Sequence, residues 1–162
     1  MCHFAVSSKH ICEKLTEYGL GQQKTYLSKS IINIVPKEYM WHFIRGYFDG
    51  DGCVSASNVK RVINGKTYKG RNVNWTIISH DKNILEELQK FISDSIERPI
   101  LLYPEKRGNY LMGTHNKQIL PVIFKKLYDN ATIYMTRKYL KFKDIIANTE
   151  VSSEIAKGSE TP

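Results

Sequence analysis

The sequence predicts an α+β protein in which helices cover one face of an antiparallel sheet. Three observations carry that expectation. The apolar run Tyr39-Met40-Trp41-His42-Phe43-Ile44-Arg45-Gly46-Tyr47-Phe48 stops abruptly on Asp49-Gly50-Asp51-Gly52 and reads as a buried helix. Between Arg71 and Ile78 the residues alternate strictly, Val73, Trp75 and Ile77 against Asn72, Asn74 and Thr76, the period of a half-buried strand. Ile84, Leu85, Leu88, Phe91 and Ile92 recur at helical spacing. From residue 36 the order is helix, two strands, helix, two strands, helix, with the uncovered sheet face exposed and polar.

Taken in order, Phe4-Ala5-Val6 reads as a strand end. Ser7 or Ser8 can cap a helix that carries Ile11, Cys12 and Leu15 on one face and stops near Gly19 and Gly21. Residues 31–35 read as an extended connection, and Pro36 is placed to open the central helix, where its missing N–H costs nothing. Cys53 to Val62 forms the first strand of a long hairpin. A turn at Asn64-Gly65 and a polar loop through Gly70 precede the alternating second strand. Asp81 stands near the start of the next helix. The short strands Ile100-Leu101-Leu102-Tyr103 and Tyr110-Leu111-Met112-Gly113 follow. Asn116 caps a helix bearing Ile119, Leu120, Ile123 and Leu127, with Pro121 in or just past its first turn. Residues 131–138 lead into a basic helix ending at Ile146. From about Asn148 the chain turns to Ser, Glu, Gly and Thr, which predicts a disordered tail.

Lys and Arg number 24 against 16 Asp and Glu, a net charge of +8. That excess points to a polyanionic partner, and nucleic acid fits better than a membrane because no basic amphipathic helix stands out. No run approaches the ~20 apolar residues of a membrane span, and the N-terminus lacks a signal-peptide layout. Cys2, Cys12 and Cys53 are scattered and form no CxxC pair. They suit a reducing compartment: the cytoplasm, an organellar matrix or the interior of a phage-infected cell. Cys2, His3, His10 and Cys12 match no zinc-finger spacing.

The acids closing the central helix place negative charge where the macrodipole is already negative. That is unfavourable without a cation, and a divalent metal is the candidate. Oxygen ligands with no His or Cys beside them favour Mg²⁺ over zinc.

A shift of 108 positions lays the start of the chain on its end without gaps: Lys9 on Lys117, Ile11 on Ile119, Leu15 on Ile123, Tyr26 on Tyr134 and Lys29 on Arg137. The identities are few, and chance is the competing reading. A true repeat makes residues 1–35 the C-terminal tail of a first, truncated unit, residues 36–147 a complete unit and residues 148–162 a tail.

Ile44-Arg45-Gly46-Tyr47-Phe48-Asp49-Gly50-Asp51-Gly52 resembles the LAGLIDADG motif of homing endonucleases. Flanking patterns are similar too: Lys29-Ser30 before a proline, His42-Phe43 opening the motif, and Leu127-Tyr128 followed by Arg137-Lys138. The resemblance covers the chain from about Ser7 to Ile146. It implies an αββαββα unit whose sheet forms a saddle over DNA, paired with a second unit through the motif helices. Gly46 and Gly50, four apart, suit such close helix pairing; their competing role is to fit the helix against its own sheet. The chain carries one motif where single-chain members carry two. A homodimer through the motif helix, or a missing N-terminal half, would account for that.

The function implied is a Mg²⁺-dependent, site-specific double-stranded DNA endonuclease. Asp51, the motif's second acid, is the expected metal ligand, with the Gly50 carbonyl beside it. Asp49 is either a further ligand or an acid tied to local backbone. Lys29, Arg137 and Lys138 are the candidate bases that steady charge at the scissile phosphate. Ser55, Ser57, Asn72, Asn74 and Thr76 can reach base edges from the exposed sheet face. Lys60, Arg61, Lys66, Lys69 and Arg71 cluster at the hairpin's loop end. The alternatives are a non-cleaving nucleic-acid binder of the same fold, an RNA maturase or a transcription regulator, and an inactive fragment.

Overall fold

In a computed structural model of the chain, residues 5–17 and 33–157 are described. Helices α1 (Lys9–Glu17), α2 (Met40–Asp51), α3 (Lys82–Ile96), α4 (Leu120–Tyr128) and α5 (Thr136–Lys157) accompany strands β1 (Gly52–Ile63), β2 (Lys66–Ser79), β3 (Leu101–Pro104) and β4 (Tyr110–Thr114). The strands form one antiparallel sheet in the order β1-β2-β4-β3. The α+β arrangement expected from the sequence is therefore observed.

Pro36 precedes a short 3₁₀ turn, Lys37–Tyr39, rather than opening α2 directly. Met40, Ile44 and Phe48 then bury one stripe of α2 at four-residue spacing. The helix ends because Gly52 turns extended, with φ −85° and ψ 162°. A Cβ at Gly52 would overlap the Phe48 ring and lie 2.6 Å from the Phe48 carbonyl oxygen, so only glycine lets the chain pass from helix to strand so close to Phe48. Phe48 stacks on Trp75 of β2 at 5.6 Å between ring centroids and meets Phe142 of α5. This aromatic stack joins helix, sheet and last helix into one core.

The hairpin differs from expectation at its tip. Asn64 and Gly65 both have positive φ, 50° and 74°, the two-residue turn whose twist matches paired strands. Pairing therefore resumes at once, Ile63 with Lys66. The stretch expected as a polar loop through Gly70 is strand, because the tight turn sets it in register with β1.

Asp81 caps α3 as expected, accepting from the N–H groups of Asn83 and Ile84. Trp41 of α2 donates its indole N–H to Ser95 of α3 at 3.2 Å. Asn116 acts one turn earlier than a cap: its side chain accepts from Gln118 N–H, and α4 itself starts at Leu120 with Pro121 in the first turn and no kink. Helix α5 runs past Ile146 to Lys157 and takes in much of the stretch expected as a tail. The strand end assigned to Phe4–Val6 is not seen at Ala5 and Val6, and the connection at residues 31–35 is turn and bend where it is described.

Candidate nucleic-acid interface and motif site

The last turn of α2 carries no basic residue of its own, and helix C-termini leave carbonyls without partners. Lys138, in the first turn of α5, supplies what is missing. Its side chain is buried, and its Nζ donates to the carbonyl oxygens of Phe48 (2.6 Å), Gly52 (2.6 Å) and Gly50 (3.4 Å). Three ammonium donors meet three carbonyls. The ammonium also sits 5.2 Å from the centre of the Phe48 ring. Burial pushes the Lys138 pKa below its ordinary value, and the Asp49 carboxylate pulls it back up.

The cation required at the negative helix end is therefore partly a lysine. Asp49 is likewise accounted for inside the fold. Its Oδ2 accepts from the Met135 N–H at 2.8 Å, just ahead of α5, where free N–H groups favour an anion. Its Oδ1 is buried with no hydrogen-bond partner, close to the buried Tyr128 hydroxyl, which also has none. Burial first, then the Asp49 charge, raises the Tyr128 pKa, so the phenol keeps its proton. Asp49 is tied to backbone, but to that of Met135, 86 positions away, and not to the local backbone of its own helix end.

Asp51 differs from Asp49. It is exposed and makes no hydrogen bond or ion pair among the described residues. Its charge bears on both Tyr47 and Lys138, which places it beside the carbonyl cluster. No group of three or more His, Cys, Asp or Glu residues suited to a metal occurs among the described residues. An ion at this helix end would have Asp51 and the Gly50 carbonyl, the most weakly held of the three, as its oxygen donors.

Sequence reading overlooked Arg45. Although it lies in the motif helix it is buried, and it clamps the connection between α4 and α5. Nε donates to Ile133 O at 2.9 Å, Nη1 to Leu127 O at 3.0 Å, and Nη2 meets His42 Nδ1 at 2.9 Å. Arg45, Asp49 and the α2 carbonyls thus hold residues 127–138 at successive points, and Lys138 ends that chain of contacts. The available signal was a lone arginine inside an otherwise apolar helix. Arg137 is exposed, and among the described residues its guanidinium donates to the Met135 sulfur alone. Lys29 lies outside the described residues.

The sheet register sorts the expected DNA contacts. Val54, Val73, Trp75 and Ile77 are buried on the helix-covered face. Ser55 pairs with Asn74, Ser57 with Asn72, and Cys53 with Thr76, so all five expected contacts share the opposite face, but Ser57 and Asn72 are exposed, Ser55 and Asn74 are half-buried, and Thr76 is buried rather than presented as expected. Lys66 holds a register position of that face. Lys60 and Arg71 hold positions of the helix-side set, near the tip where the hairpin outruns the helices. For Arg61 and Lys69 only the backbone pairing is described, with Tyr68 and Lys60.

The face of α2 turned away from the core is open. A Cβ built on Gly46 or Gly50 meets nothing within 4 Å. The competing role, fitting α2 against its own sheet, is thereby removed. No helix among the described residues is long and apolar enough to cross a membrane.

Residues 44–148 match the family described as LAGLIDADG endonuclease. A DNA polymerase of Thermococcus hydrothermalis is 27% identical over 134 residues, which covers 77% of this chain and only 7% of the polymerase. Among solved structures, the homing endonuclease I-CvuI in complex with the I-CreI DNA target superposes with a TM-score of 0.56 at 18% identity, over 70% of this chain and 68% of that one. The archaeal intron-encoded homing endonuclease I-Vdi141I, complexed with DNA, gives 0.55 at 17% identity, over 78% and 88%. The group I intron-encoded homing endonuclease I-CeuI, complexed with DNA, gives 0.60 at 12% identity, over 93% and 71%. At such identities these structures share the fold; the family match, spanning most of the sequence and beginning within the motif helix, places this chain in the LAGLIDADG endonuclease family.

Proposed function

We propose that the chain is a motif-bearing unit of a Mg²⁺-dependent, site-specific double-stranded DNA endonuclease. One observation carries this reading: Asp51 is exposed beside a carbonyl cluster whose other acid, Asp49, is already engaged by backbone. An exposed carboxylate with no partner among the described residues, at a helix end already negative, is where a bound cation would be favoured. The donor set, a carboxylate and a backbone carbonyl, is all oxygen and fits Mg²⁺. When bound, the ion would activate a water and stabilise the leaving oxygen. Asp51 would hold it, with the Gly50 carbonyl as the neighbouring oxygen donor. Lys138 fixes the carbonyls and places a positive charge beside the site. The fold relatives named above are solved on DNA, and I-CvuI also in the presence of Mg²⁺ or Ca²⁺.

Asn and Ser side chains on the open sheet face would read base edges, and the basic residues toward the hairpin tip would contact phosphates. With 6–10 phosphate contacts, affinity for DNA is expected to fall ~10³–10⁵-fold between 50 and 200 mM salt. A titration series in rising KCl reads this directly, and a flat response counts against DNA as the partner. The decisive test is exposure of the protein to a randomised duplex library with Mg²⁺ or with a chelator. Recurrent cut ends that need the metal support the proposal. Retained DNA without cut ends selects a non-cleaving binder.

The open face of α2 is the proposed seat of a second motif helix, since small residues let two backbones approach closely. Gly46→Ala is expected to stabilise the isolated unit by ~0.5–1 kcal/mol, the helical advantage of alanine over glycine. Gly46→Leu is expected to leave the unit folded but to abolish its pairing. Sedimentation paired with thermal melting tests both. Pairing that survives leucine moves the interface elsewhere.

A further inference from the structure

The uncovered face of the sheet is not polar throughout. Register carries the face from Thr76 and Ile78 of β2 to Gly113 and Leu111 of β4, and on to Leu101 and Tyr103 of β3. Four of those positions, Ile78, Leu101, Tyr103 and Leu111, are apolar or aromatic. The core takes Ile77, Met112 and Leu102 from the same strands, all from the other face. Leu101 remains 56% exposed. The sheet therefore presents two adjoining fields on one surface: hydrogen-bonding side chains on β1 and β2, and an apolar quadrant on β4 and β3.

We propose that this quadrant reads thymine, by seating the 5-methyl groups of T·A pairs in the major groove. The inference rests on the DNA-binding reading above and extends it. Only thymine presents a methyl group on its major-groove edge, beside its O4 acceptor; the other bases show only donors and acceptors there. Apart from the Tyr103 hydroxyl, these side chains have no polar atom to answer them. A G·C pair pressed against Leu101 or Leu111 would lose water and gain no partner, which costs more than a missing contact. The methyl loses nothing polar and gains burial. Continuity argues for the occupant: a duplex lying across Ser57, Asn72 and Asn74 would run on to the β4 and β3 positions of the same surface. Gly113 is held clear of side chain, because a Cβ there would overlap the Trp75 carbonyl oxygen. The Thr76 methyl lies 2.7 Å from where that Cβ would be, so Thr76 is buried over Gly113 and Leu101 is the exposed residue of this row.

The test starts from DNA sites selected with the full chain in whatever assembly it forms. Thymines in the selected site are replaced one at a time by deoxyuridine, which removes the methyl and nothing else. Positions over β3 and β4 are expected to lose about four-fold in affinity per methyl, the worth of one buried methylene. Leu101→Ser, at an exposed position where folding is not at stake, should erase the difference between thymine and uracil at its own base pair. Equal affinity for thymine and uracil at every position of a tightly bound site overturns this inference and leaves the DNA reading intact. Failure to select any site overturns the DNA reading, and this inference with it. Leu101→Ser that changes the solution mass but not DNA binding also overturns it, by assigning the quadrant to a protein partner.

Discussion

Asp51→Asn is expected to abolish DNA cutting while DNA binding and thermal stability stay near wild type. The side chain is exposed and bonds to nothing among the described residues, so the substitution removes no packing and no hydrogen bond. Asparagine keeps the shape and removes the charge. If a metal's stabilisation of the phosphoryl transition state is worth several kcal/mol, its loss slows cutting by roughly 10³-fold or more, at ~1.4 kcal/mol per factor of ten. The measurement is single-turnover cleavage of a selected site beside an equilibrium binding curve in Ca²⁺. The parallel change Asp49→Asn should behave differently. It weakens the anchor between Asp49 and the Met135 N–H, so it should lower the melting temperature as well as the rate. Equal cutting by wild type and Asp51→Asn would remove Asp51 from the metal site, and absence of cutting by wild type would remove the case for a nuclease.

Lys138→Met should cost stability and activity together. Two short charge-assisted hydrogen bonds, to Phe48 and Gly52, and one long one, to Gly50, disappear. Such bonds are worth ~1.5–3 kcal/mol each, and part of that returns because a buried ammonium no longer has to be desolvated. A net loss of roughly 2–4 kcal/mol is expected. The carbonyls beside Asp51 also lose their fixed partner, so cutting should fall further than the folded fraction alone explains. Lys138→Arg should not rescue, because a planar guanidinium cannot converge on three carbonyls as an ammonium does. Urea unfolding and cleavage under conditions where each variant is fully folded separate the two effects. An unchanged unfolding midpoint in Lys138→Met would mean that the lysine is not engaged as described.

These sites were unequally legible before folding. The helix that ends at Asp51, the alternation of β2 and the cap at Asp81 follow from local periodicity and side-chain chemistry, and the structure has them in place. The hairpin tip was misjudged because five polar residues after Asn64-Gly65 look like loop; the positive φ of both turn residues makes pairing immediate. The pair of acids at the end of α2 is legible in the sequence, but what offsets their charge is not. The positive charge that a negative helix end calls for is supplied in part by Lys138, while the Met135 N–H engages Asp49. Lys138 was one of three basic candidates, and nothing in the sequence separated it from Arg137 next door. One faces solvent and the other fills the end of α2, a difference of about 100° around α5.

What the residues determined alone was the kind of element at each position, the polar and apolar sides of β2, and a motif specific enough to imply the family. Tertiary structure decided which charges meet. The contacts that build the motif site join residues 82 to 90 positions apart. No local pattern encodes them, because each depends on how α4 and α5 return across α2. The two fields of the open sheet face are tertiary in the same sense. Leu101 and Leu111 read as ordinary strand residues until register sets them beside Thr76, on the side the core does not use.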